Sequence, residues 1–314
     1  MRTAYFSMSF DCNEKCVFCP CSEGANTIPD IGLDELKLSL DRVVKEADVN
    51  HVLLSGGEPT IKKDFPLFLE YIAPKNLSIG ILSNGIKFAS QRYLKKITDI
   101  VDIEKLEITT AIHSHLPHKH DRLTQLKNSF NKSVQGLHNI INAGITTSLK
   151  YNITNYTYKD LPDYIDWVYD TFPDDVTFLI CNIDINGVAL KNKDLIAVSF
   201  EESTPYLEAA LDKVIEYRRN GRKRNVKVFT TPLCTLDPYY WGFVNNRTKE
   251  VLAALRVPAD KQKFDKLFLG IESDTGTMFG PCQECALKDP CPGTWKKTGE
   301  LFGDKIFKPF TNIE

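Results

Sequence analysis

The sequence lacks the features that would place the chain in a membrane or on a nucleic acid. No run of apolar residues is long enough to cross a bilayer, and the first ten residues lack the basic start and apolar core of a secretion signal. The 39 basic and 41 acidic side chains leave a net charge of −2, so no overall electrostatic field attracts nucleic acid. We therefore expect a cytoplasmic globular protein.

Several common catalytic signatures are also missing. The chain contains no glycine-rich P-loop and no pattern typical of a Ser-His-Asp hydrolase. Adjacent carboxylates such as Asp174 and Asp175 are typical of turns. Cysteine, in contrast, is abundant. Of the nine cysteines, seven fall into two groups, one near each end of the chain. In a reducing compartment such grouping indicates metal binding rather than disulfides.

The pattern of apolar segments predicts an α/β fold. Strand-like runs alternate with amphipathic helical segments, which predicts a parallel sheet covered by helices. The right-handed crossover rule curls such a sheet into a partial (βα)6 parallel barrel. The predicted strands are 3–9, 51–55, 78–83, 106–112, 147–153 and 176–181. The predicted helices are 33–47, 64–73, 90–99, 129–143, 160–171 and 202–219.

The rhythm changes in the last third of the chain, which indicates a second, smaller unit. A strand at 226–230 and a hairpin over 266–279 lead into the second group of cysteines. We therefore expect residues 1–224 to form the barrel and residues 225–314 to form a small α+β cluster-binding module. The basic run 218–224 is expected to be a solvated turn.

The N-terminal cysteines lie on a loop that leaves the carboxyl end of the first predicted strand. Cys12, Cys16 and Cys19 stand at positions i, i+4 and i+7 and can enclose a small centre of a soft metal. Zinc would require a fourth ligand, which Cys21 could supply. A four-iron cluster held by three thiolates would instead keep one iron open for a substrate. The loop alone does not decide between the two.

The second predicted strand ends in Gly56-Gly57-Glu58-Pro59. Two glycines let the backbone approach a ligand closely, and Pro59 stiffens the turn. Glu58 and the carbonyls of the turn can accept hydrogen bonds from an ammonium group. Because the carboxyl ends of parallel strands lie at one edge of the sheet, we expect this turn beside the cysteine loop.

The cysteine spacing and the Gly-Gly-Glu-Pro turn together resemble the radical S-adenosylmethionine (SAM) superfamily. The resemblance implies that Cys12, Cys16 and Cys19 bind a 4Fe–4S cluster whose open iron chelates the amino and carboxylate groups of SAM. One electron from this cluster would break the C5′–S bond, and the 5′-deoxyadenosyl radical would take a hydrogen atom from the substrate. The SAM contacts that the resemblance implies are Gly56, Gly57, Glu58, Pro59, Ser83, Asn84, Ser114, Lys150 and Gly187.

The second group of cysteines follows the predicted hairpin. Cys282, Cys285 and Cys291 have the spacing C-x2-C-x5-C, and Cys234 lies upstream. Four thiolates can close around an iron–sulfur cluster or a structural zinc ion. The spacing resembles the SPASM and twitch extensions of radical SAM enzymes, which hold auxiliary clusters. A further cysteine of the full SPASM pattern is replaced by Trp295, so the resemblance implies one auxiliary 4Fe–4S cluster.

Two features remain outside these sites. Cys181 ends the sixth predicted strand. It is either a small core residue or a thiol that returns a hydrogen atom to a substrate radical, as in radical enzymes that invert a carbon centre. Four histidines between His113 and His120 are expected to lie in a polar loop after the fourth strand, within reach of a substrate.

The resemblance also bears on the substrate. By analogy with enzymes that carry the same extension, we expect a ribosomally synthesised peptide that is crosslinked, joined through a thioether or epimerised. One alternative is a radical dehydrogenase or cofactor-biosynthesis enzyme acting on a small molecule, and another is a non-catalytic zinc-binding interaction protein. One expected partner is a protein reductant such as flavodoxin or ferredoxin. A separate leader-peptide recognition protein is also expected for a peptide substrate, because the barrel begins at the first residues.

Overall fold

One parallel sheet organises the computed structural model, which describes residues 3–19, 31–47, 49–245, 255–257 and 276–311. Neighbouring strands follow the order β7-β6-β5-β4-β3-β2-β1-β8, and every pair is parallel. The predicted α/β partial barrel is therefore confirmed, and strands beyond the predicted six extend it at both edges. The strands are β1 (Thr3–Ser7), β2 (His51–Ser55), β3 (Ser78–Ser83), β4 (Leu106–Ala111), β5 (Thr146–Ile153), β6 (Thr177–Asn182), β7 (Val226–Phe229) and β8 (Leu255–Val257).

Helices connect the strands, as the alternating pattern predicts. The described helices are α1 (Leu33–Ala47), α2 (Phe65–Ile72), α3 (Gln91–Thr98), α4 (Pro117–Thr124), α5 (Ser129–Asn142), α6 (Leu161–Thr171), α7 (Val188–Lys191), α8 (Lys193–Ile196), α9 (Phe200–Arg219) and α10 (Lys296–Phe302). The longest, α9, begins with a complete capping box between Ser199 and Glu202. None of the helices in the described ranges is both long and apolar enough to cross a membrane.

The two faces of the sheet differ in polarity. On β5, Leu149, Tyr151 and Ile153 are buried in the core between the strands and the outer helices. Lys150 and Asn152 alternate with them and point to the opposite face, the interior of the barrel, where they are only partly buried. On β5 the outer face is therefore apolar and packs against helices, while the inner wall carries polar side chains that can contact a ligand.

The segment with four histidines is a correction to the sequence-based prediction. It was expected to be a polar loop, but its second half forms α4, which starts with a proline in its first turn. His120 and Leu123 are completely buried on one face of this helix. The backbone N–H of His113 donates to Nδ1 of His120 at 3.1 Å. This helix adds a support beside the cysteine loop.

The basic run before β7 is a second correction, because it is not simply a solvated turn. The Arg224 side chain is completely buried, and its guanidinium donates to the carbonyls of Phe172 and Val176, both at 2.8 Å. These carbonyls follow the end of α6, where helix geometry leaves acceptors without partners. Arg222 forms a bidentate ion pair with Asp174. The run therefore ties the end of α6 to β7.

The predicted boundary between barrel and module falls just before β7. That strand pairs with β6 along Phe178–Cys181 and so continues the barrel sheet. The division at residue 224 stays a prediction. Residues 266–275 of the predicted hairpin lie outside the described residues, while Thr277 forms an antiparallel bridge with Thr294.

Candidate functional site

The N-terminal cysteine loop, residues 12–19, is held from two sides. Its backbone donates hydrogen bonds to the carbonyls of Thr124 and Leu123 at the end of α4, at 3.0 and 2.9 Å. The side chain of Asn192, between α7 and α8, donates to a carbonyl of the loop at 3.0 Å. The loop is therefore shaped by the surrounding barrel elements, including the helix that the sequence analysis missed.

The three thiols of this loop share one mostly buried space. Burial raises the pKa of Cys12 to about 12 and raises the pKa of Cys16 well above its usual value. Glu14 joins two of the thiols, since its N–H donates to the Cys12 sulfur and its carboxylate accepts from the Cys16 thiol, both at 3.4 Å, and Cys19 N–H donates to the carbonyl of Cys16 at 3.0 Å. Thiolates placed together in this way repel one another, and a bound iron cluster would offset that repulsion. The donor set fits a three-cysteine cluster site.

The two glycines of the Gly-Gly-Glu-Pro turn allow close contact with the cysteine loop. Gly57 N–H donates to the carbonyl of Ser9 at 2.5 Å, and Glu58 N–H donates to the carbonyl of Asp11 at 2.8 Å. Gly56 has a φ of 122°, and a Cβ at either glycine would collide with these carbonyls. The sequence predicted close approach to a ligand; the approach that the structure shows is between the two backbone segments.

The Glu58 carboxylate is buried and is held by four hydrogen bonds from protein donors. It accepts hydrogen bonds from Thr60 N–H at 3.1 Å, Thr60 Oγ1 at 2.5 Å, Ser83 Oγ at 2.9 Å and Asn84 N–H at 2.7 Å. Burial raises the pKa of this carboxyl, and the four hydrogen bonds oppose that effect. Oε1 accepts three of these bonds, whereas Oε2 accepts only the one from Asn84 N–H and keeps room for a further donor. The side chain therefore joins the ends of β2 and β3, and its Oε2 and the carbonyls of the turn are acceptors for an ammonium ligand.

Asn84 connects the end of β3 to the cysteine loop. Its amide group donates to Oδ1 of Asn13 at 2.7 Å, and its carbonyl accepts a hydrogen bond from Ser133 at 2.7 Å. The hydroxyl of Ser83 accepts from Gly85 N–H at 3.0 Å, which closes the turn. Three of the segments that the resemblance assigned to SAM therefore meet at the carboxyl edge of the sheet.

Lys150 and Cys181 line the same inner wall on neighbouring strands. Burial raises the pKa of Cys181, and the Lys150 ammonium opposes that shift. Burial lowers the pKa of His113 well below its usual value, with added repulsion from His120 and Lys150. Lys150 is thus close to both the thiol and a neutral imidazole, which suits recognition of an anionic group.

Ser114 and Gly187 follow the carboxyl ends of β4 and β6, which end at Ala111 and Asn182. Ser114 is buried, and its hydroxyl accepts a hydrogen bond from Leu116 N–H at 3.1 Å within its own turn. Gly187 has a φ of 55° and precedes α7. Ala189 of α7 packs in one apolar cluster with Phe18 of the cysteine loop. Both residues are therefore at the edge of the sheet where the cysteine loop lies.

Sequence reasoning missed Asn13, Thr60 and Asn192, whose side chains support this edge. Only Thr60 left a local signal, because a hydroxyl two residues after a carboxylate favours a turn closed by side-chain hydrogen bonds. Asn13 and Asn192 act on partners far away in sequence. No spacing pattern could have identified them.

One cavity in the C-terminal region is lined by all four cysteines predicted for the auxiliary site, namely Cys234, Cys282, Cys285 and Cys291. Burial raises the pKa of Cys234 to about 11, and the charges of the other three add to the shift. Backbone N–H groups of Leu233 and Gly293 donate to the sulfur of Cys291 at 3.5 and 3.4 Å. Hydrogen bonds of this kind to thiolate sulfur are typical of iron–sulfur sites.

The remaining walls of this cavity are mainly apolar. Phe279 stacks on Phe307 with ring centres 4.6 Å apart, and Phe310 packs edge-on against Trp241. Within the described ranges, no three His, Cys, Asp or Glu side chains converge closely enough to hold a single metal ion. A four-iron cluster makes a different demand, because each thiolate binds a separate iron. The cavity thus provides four sulfurs in apolar surroundings.

Trp295 occupies the place of a further cysteine in the SPASM pattern. Its indole N–H donates to the carbonyl of Asn182, the last residue of β6, at 2.8 Å. Cys181 precedes that residue on the same strand. The segment after the last auxiliary cysteine therefore touches the strand that carries part of the inner wall.

Comparisons with known proteins agree with this geometry. The family model described as the Radical SAM superfamily matches residues 6–168, slightly more than half of the chain. Fe-coproporphyrin III synthase of Methanosarcina barkeri is 26% identical over 238 residues, which cover 76% of this chain and 56% of that protein. Mycofactocin maturase MftC of Mycolicibacterium smegmatis is 25% identical over 148 residues, which cover 45% of this chain and 34% of that protein. The chain therefore spans only part of the length of these relatives.

Solved structures share the fold over nearly the whole chain. Streptococcus suis SuiB bound to its precursor peptide SuiA has a TM-score of 0.69 at 16% identity, covering 97% of this chain and 75% of that one. The protein anSMEcpe with bound AdoMet has a TM-score of 0.70 at 15% identity, covering 98% and 90%. The segment that the family model matches, residues 6–168, includes the three-cysteine loop and the Gly-Gly-Glu-Pro turn, which pack together at the carboxyl edge of the sheet. The chain belongs to the radical SAM superfamily.

Proposed function

We propose that this radical SAM enzyme abstracts a hydrogen atom from a ribosomally synthesised peptide and uses a second 4Fe–4S cluster in the same reaction. The observation that carries the proposal is the convergence of four cysteines on one cavity connected to the end of β6. When bound, the first cluster and SAM supply a 5′-deoxyadenosyl radical, which removes the hydrogen atom. The chain binds and orients these groups.

On the barrel side, different residues bind the first cluster and the different parts of SAM. Cys12, Cys16 and Cys19 ligate the first cluster. The carbonyls of the Gly-Gly-Glu-Pro turn and Oε2 of Glu58, which accepts one hydrogen bond from the protein, receive the SAM ammonium group. Lys150 pairs with an anionic group of SAM or substrate, and its position beside the neutral His113 supports this role. The Ser83-Asn84 turn contacts the ribose of SAM, and Gly187 lies beside its adenine.

On the C-terminal side, the complete set of four thiolates favours a role in electron transfer. A cluster ligated at all four irons has no open position for a substrate. A carbon radical that becomes part of a crosslink or a double bond must lose an electron, and such a cluster can accept it. The apolar walls of the cavity limit the access of water. A flavodoxin or ferredoxin would supply the electron that starts the reaction.

The peptide assignment is supported by the structural relatives. SuiB is described with its precursor peptide, and anSMEcpe is described with the Cp18Cys peptide at a TM-score of 0.69 over 99% of this chain. MftC is named a maturase. These likenesses favour a peptide substrate.

A small molecule is the second candidate. The observation in its favour is the similarity to Fe-coproporphyrin III synthase, which extends over 76% of this chain. The same two cluster sites would then serve the biosynthesis of a cofactor. Membership of the superfamily argues against the third sequence-based hypothesis, a non-catalytic zinc-binding protein.

The first experiment uses the anaerobically reconstituted full chain. We expect about eight irons per chain, as two four-iron clusters require, and 5′-deoxyadenosine formation from SAM with a reductant. The reaction is then run with a deuterated extract of the native host, because deuterium found in 5′-deoxyadenosine reports hydrogen taken from the substrate. Half of the extract is treated beforehand with a protease that is afterwards inactivated.

The two treatments separate the candidates. A peptide substrate predicts deuterium transfer from the untreated extract and its loss after proteolysis. Transfer that survives proteolysis and follows the fraction of lowest mass would favour the small-molecule alternative. Two zinc ions without SAM cleavage would contradict both.

A further inference from the structure

Two chain segments carry auxiliary cysteines to the edge of the barrel. The first arm, residues 230–234, leaves β7 and ends in Cys234. The second arm, residues 291–295, begins with Cys291 and ends in Trp295. The arms also touch each other, because the hydroxyl of Thr294 donates to the carbonyl of Thr230 at 3.1 Å.

Both arms are bonded to the same residue of β6, Asn182. Its side-chain amide donates to Oγ1 of Thr231 on the first arm at 2.6 Å. Its carbonyl accepts the indole N–H of Trp295 from the second arm at 2.8 Å and the hydroxyl of Thr230 at 3.1 Å. One residue at the end of a barrel strand thus meets both segments that bear the auxiliary ligands.

The backbone at this junction is strained. Thr230 has a φ of 55°, a conformation that is unfavourable for a β-branched side chain. Such a conformation persists only where the surrounding contacts hold it in place. Here the single hydrogen of the Thr230 hydroxyl is shared between the carbonyls of Phe229 at 2.7 Å and Asn182 at 3.1 Å, and the carbonyl of Thr230 accepts from Thr294. The strain marks a place where the position of the first arm is specified closely.

We propose that Asn182 is a positioning residue that fixes the auxiliary cysteine site relative to the inner wall of the barrel. Cys181 is adjacent to Asn182 on β6, and the Lys150 ammonium on the inner wall opposes the rise that burial causes in the pKa of that thiol. Asn182 therefore belongs to a strand of the inner wall and also contacts both arms. Beyond the pairing of β7 with β6, the side chains of Asn182, Thr230, Thr231 and Trp295 then set the distance between the two cluster sites. This inference rests on the proposed function only where it assigns a cluster to the four cysteines.

The test compares variants of the reconstituted full chain that remove the bonds of one arm each. Trp295→Phe removes the indole N–H on the second arm, and Asn182→Leu removes the amide that donates to Thr231 and Thr230 on the first arm. Trp167→Phe is the matched control, because this indole lies on α6 and packs against Phe130, Tyr164 and Phe172 rather than against either arm. Two readouts are taken: amide hydrogen exchange along the chain and the magnetic interaction between the two reduced clusters by electron paramagnetic resonance.

We expect exchange to rise about fivefold in the arm that loses its bond, the factor expected from a hydrogen bond worth about 1 kcal/mol. In both variants the magnetic interaction between the clusters should weaken or its signal should broaden, while the iron content stays unchanged. The Trp167→Phe protein should match the wild type in the magnetic interaction.

Wild-type exchange and wild-type magnetic interaction in both test variants would overturn the inference. A rise in exchange that extends equally to α5 would also overturn it, because it would reflect a general loss of stability. A wild-type protein with only four irons would instead overturn the proposed auxiliary cluster, and the exchange measurement would still decide the role of Asn182.

Discussion

The two cysteine sites of this protein are assembled in different ways. The N-terminal site takes three thiols from one short loop, which is held by backbone hydrogen bonds to α4 and to the turn after β2. The C-terminal site gathers thiols from segments as distant as Cys234 and Cys291, and its walls include residues 307–310 near the end of the chain. Closing a long loop costs more chain entropy than closing a short one. The first site is therefore largely local, whereas the second depends on tertiary packing.

The largest expected effect separates the two sites by their metal content. Cys16→Ala should remove about four irons and abolish SAM cleavage, because a cluster with two remaining thiolates loses its anchor. The auxiliary cluster should persist, since its ligands are elsewhere. Iron analysis and 5′-deoxyadenosine measurement check this, with Cys181→Ala as the control for iron content. Loss of all iron from Cys16→Ala would show that the two sites do not assemble independently.

The reciprocal variant tests the role of the C-terminal site. Cys285→Ala should also lose about four irons, yet should retain SAM cleavage while product formation fails. The reason is that the first cluster and its SAM contacts lie on the barrel. The ratio of 5′-deoxyadenosine to modified substrate is the measurement. A normal product yield from this variant would mean that the second cluster takes no part in the reaction.

A smaller effect concerns how closely the N-terminal loop is packed. Gly57→Ala should lower the free energy of unfolding by about 1–3 kcal/mol, because its Cβ would collide with the backbone of Phe10 and Asp11. Gly242→Ala is the matched control, since no atom lies within 4 Å of the added Cβ. Chemical denaturation of both variants measures the difference. Equal stabilities would indicate that the loop can move away at little cost.

The smallest effect is a pH dependence of the helix that supports this loop. Burial lowers the pKa of His120 to about 4, below its value of about 6.5 in an unfolded chain. As pH falls below 6.5, the unfolded state binds a proton that the folded state does not. Stability attributable to His120 is therefore present at pH 7 and decreases by about 1 kcal/mol on going to pH 5.5.

A His120→Asn variant isolates that contribution. Its amide oxygen can still accept the N–H of His113, but the residue no longer titrates. Denaturation at pH 7 and at pH 5.5 should show a smaller loss of stability in the variant than in the wild type. The same loss in both proteins would assign the pH dependence to other groups.

Much of the barrel could be predicted because its signals are local. Alternating apolar runs identified β1 to β6, and the predicted helices correspond to α1, α2, α3, α5, α6 and α9. The helix α4 was missed because four histidines and a proline read as a polar loop. Its helical form depends on the burial of His120 and Leu123 against the rest of the fold. Burial of Arg224 was missed for a similar reason, since its partners are carbonyls of another element.

The sequence by itself determined the ligand type and the spacing of both cysteine groups, because these are properties of the chain. It also predicted the strands β1 to β6 and most of the helices that connect them, since hydrophobic period is local. Only the tertiary structure decided that Glu58 accepts hydrogen bonds from Thr60, Ser83 and Asn84. It alone decided that Asn182 meets both arms of the auxiliary site. Such contacts join residues far apart in sequence, and their geometry exists only once the strands are paired and packed.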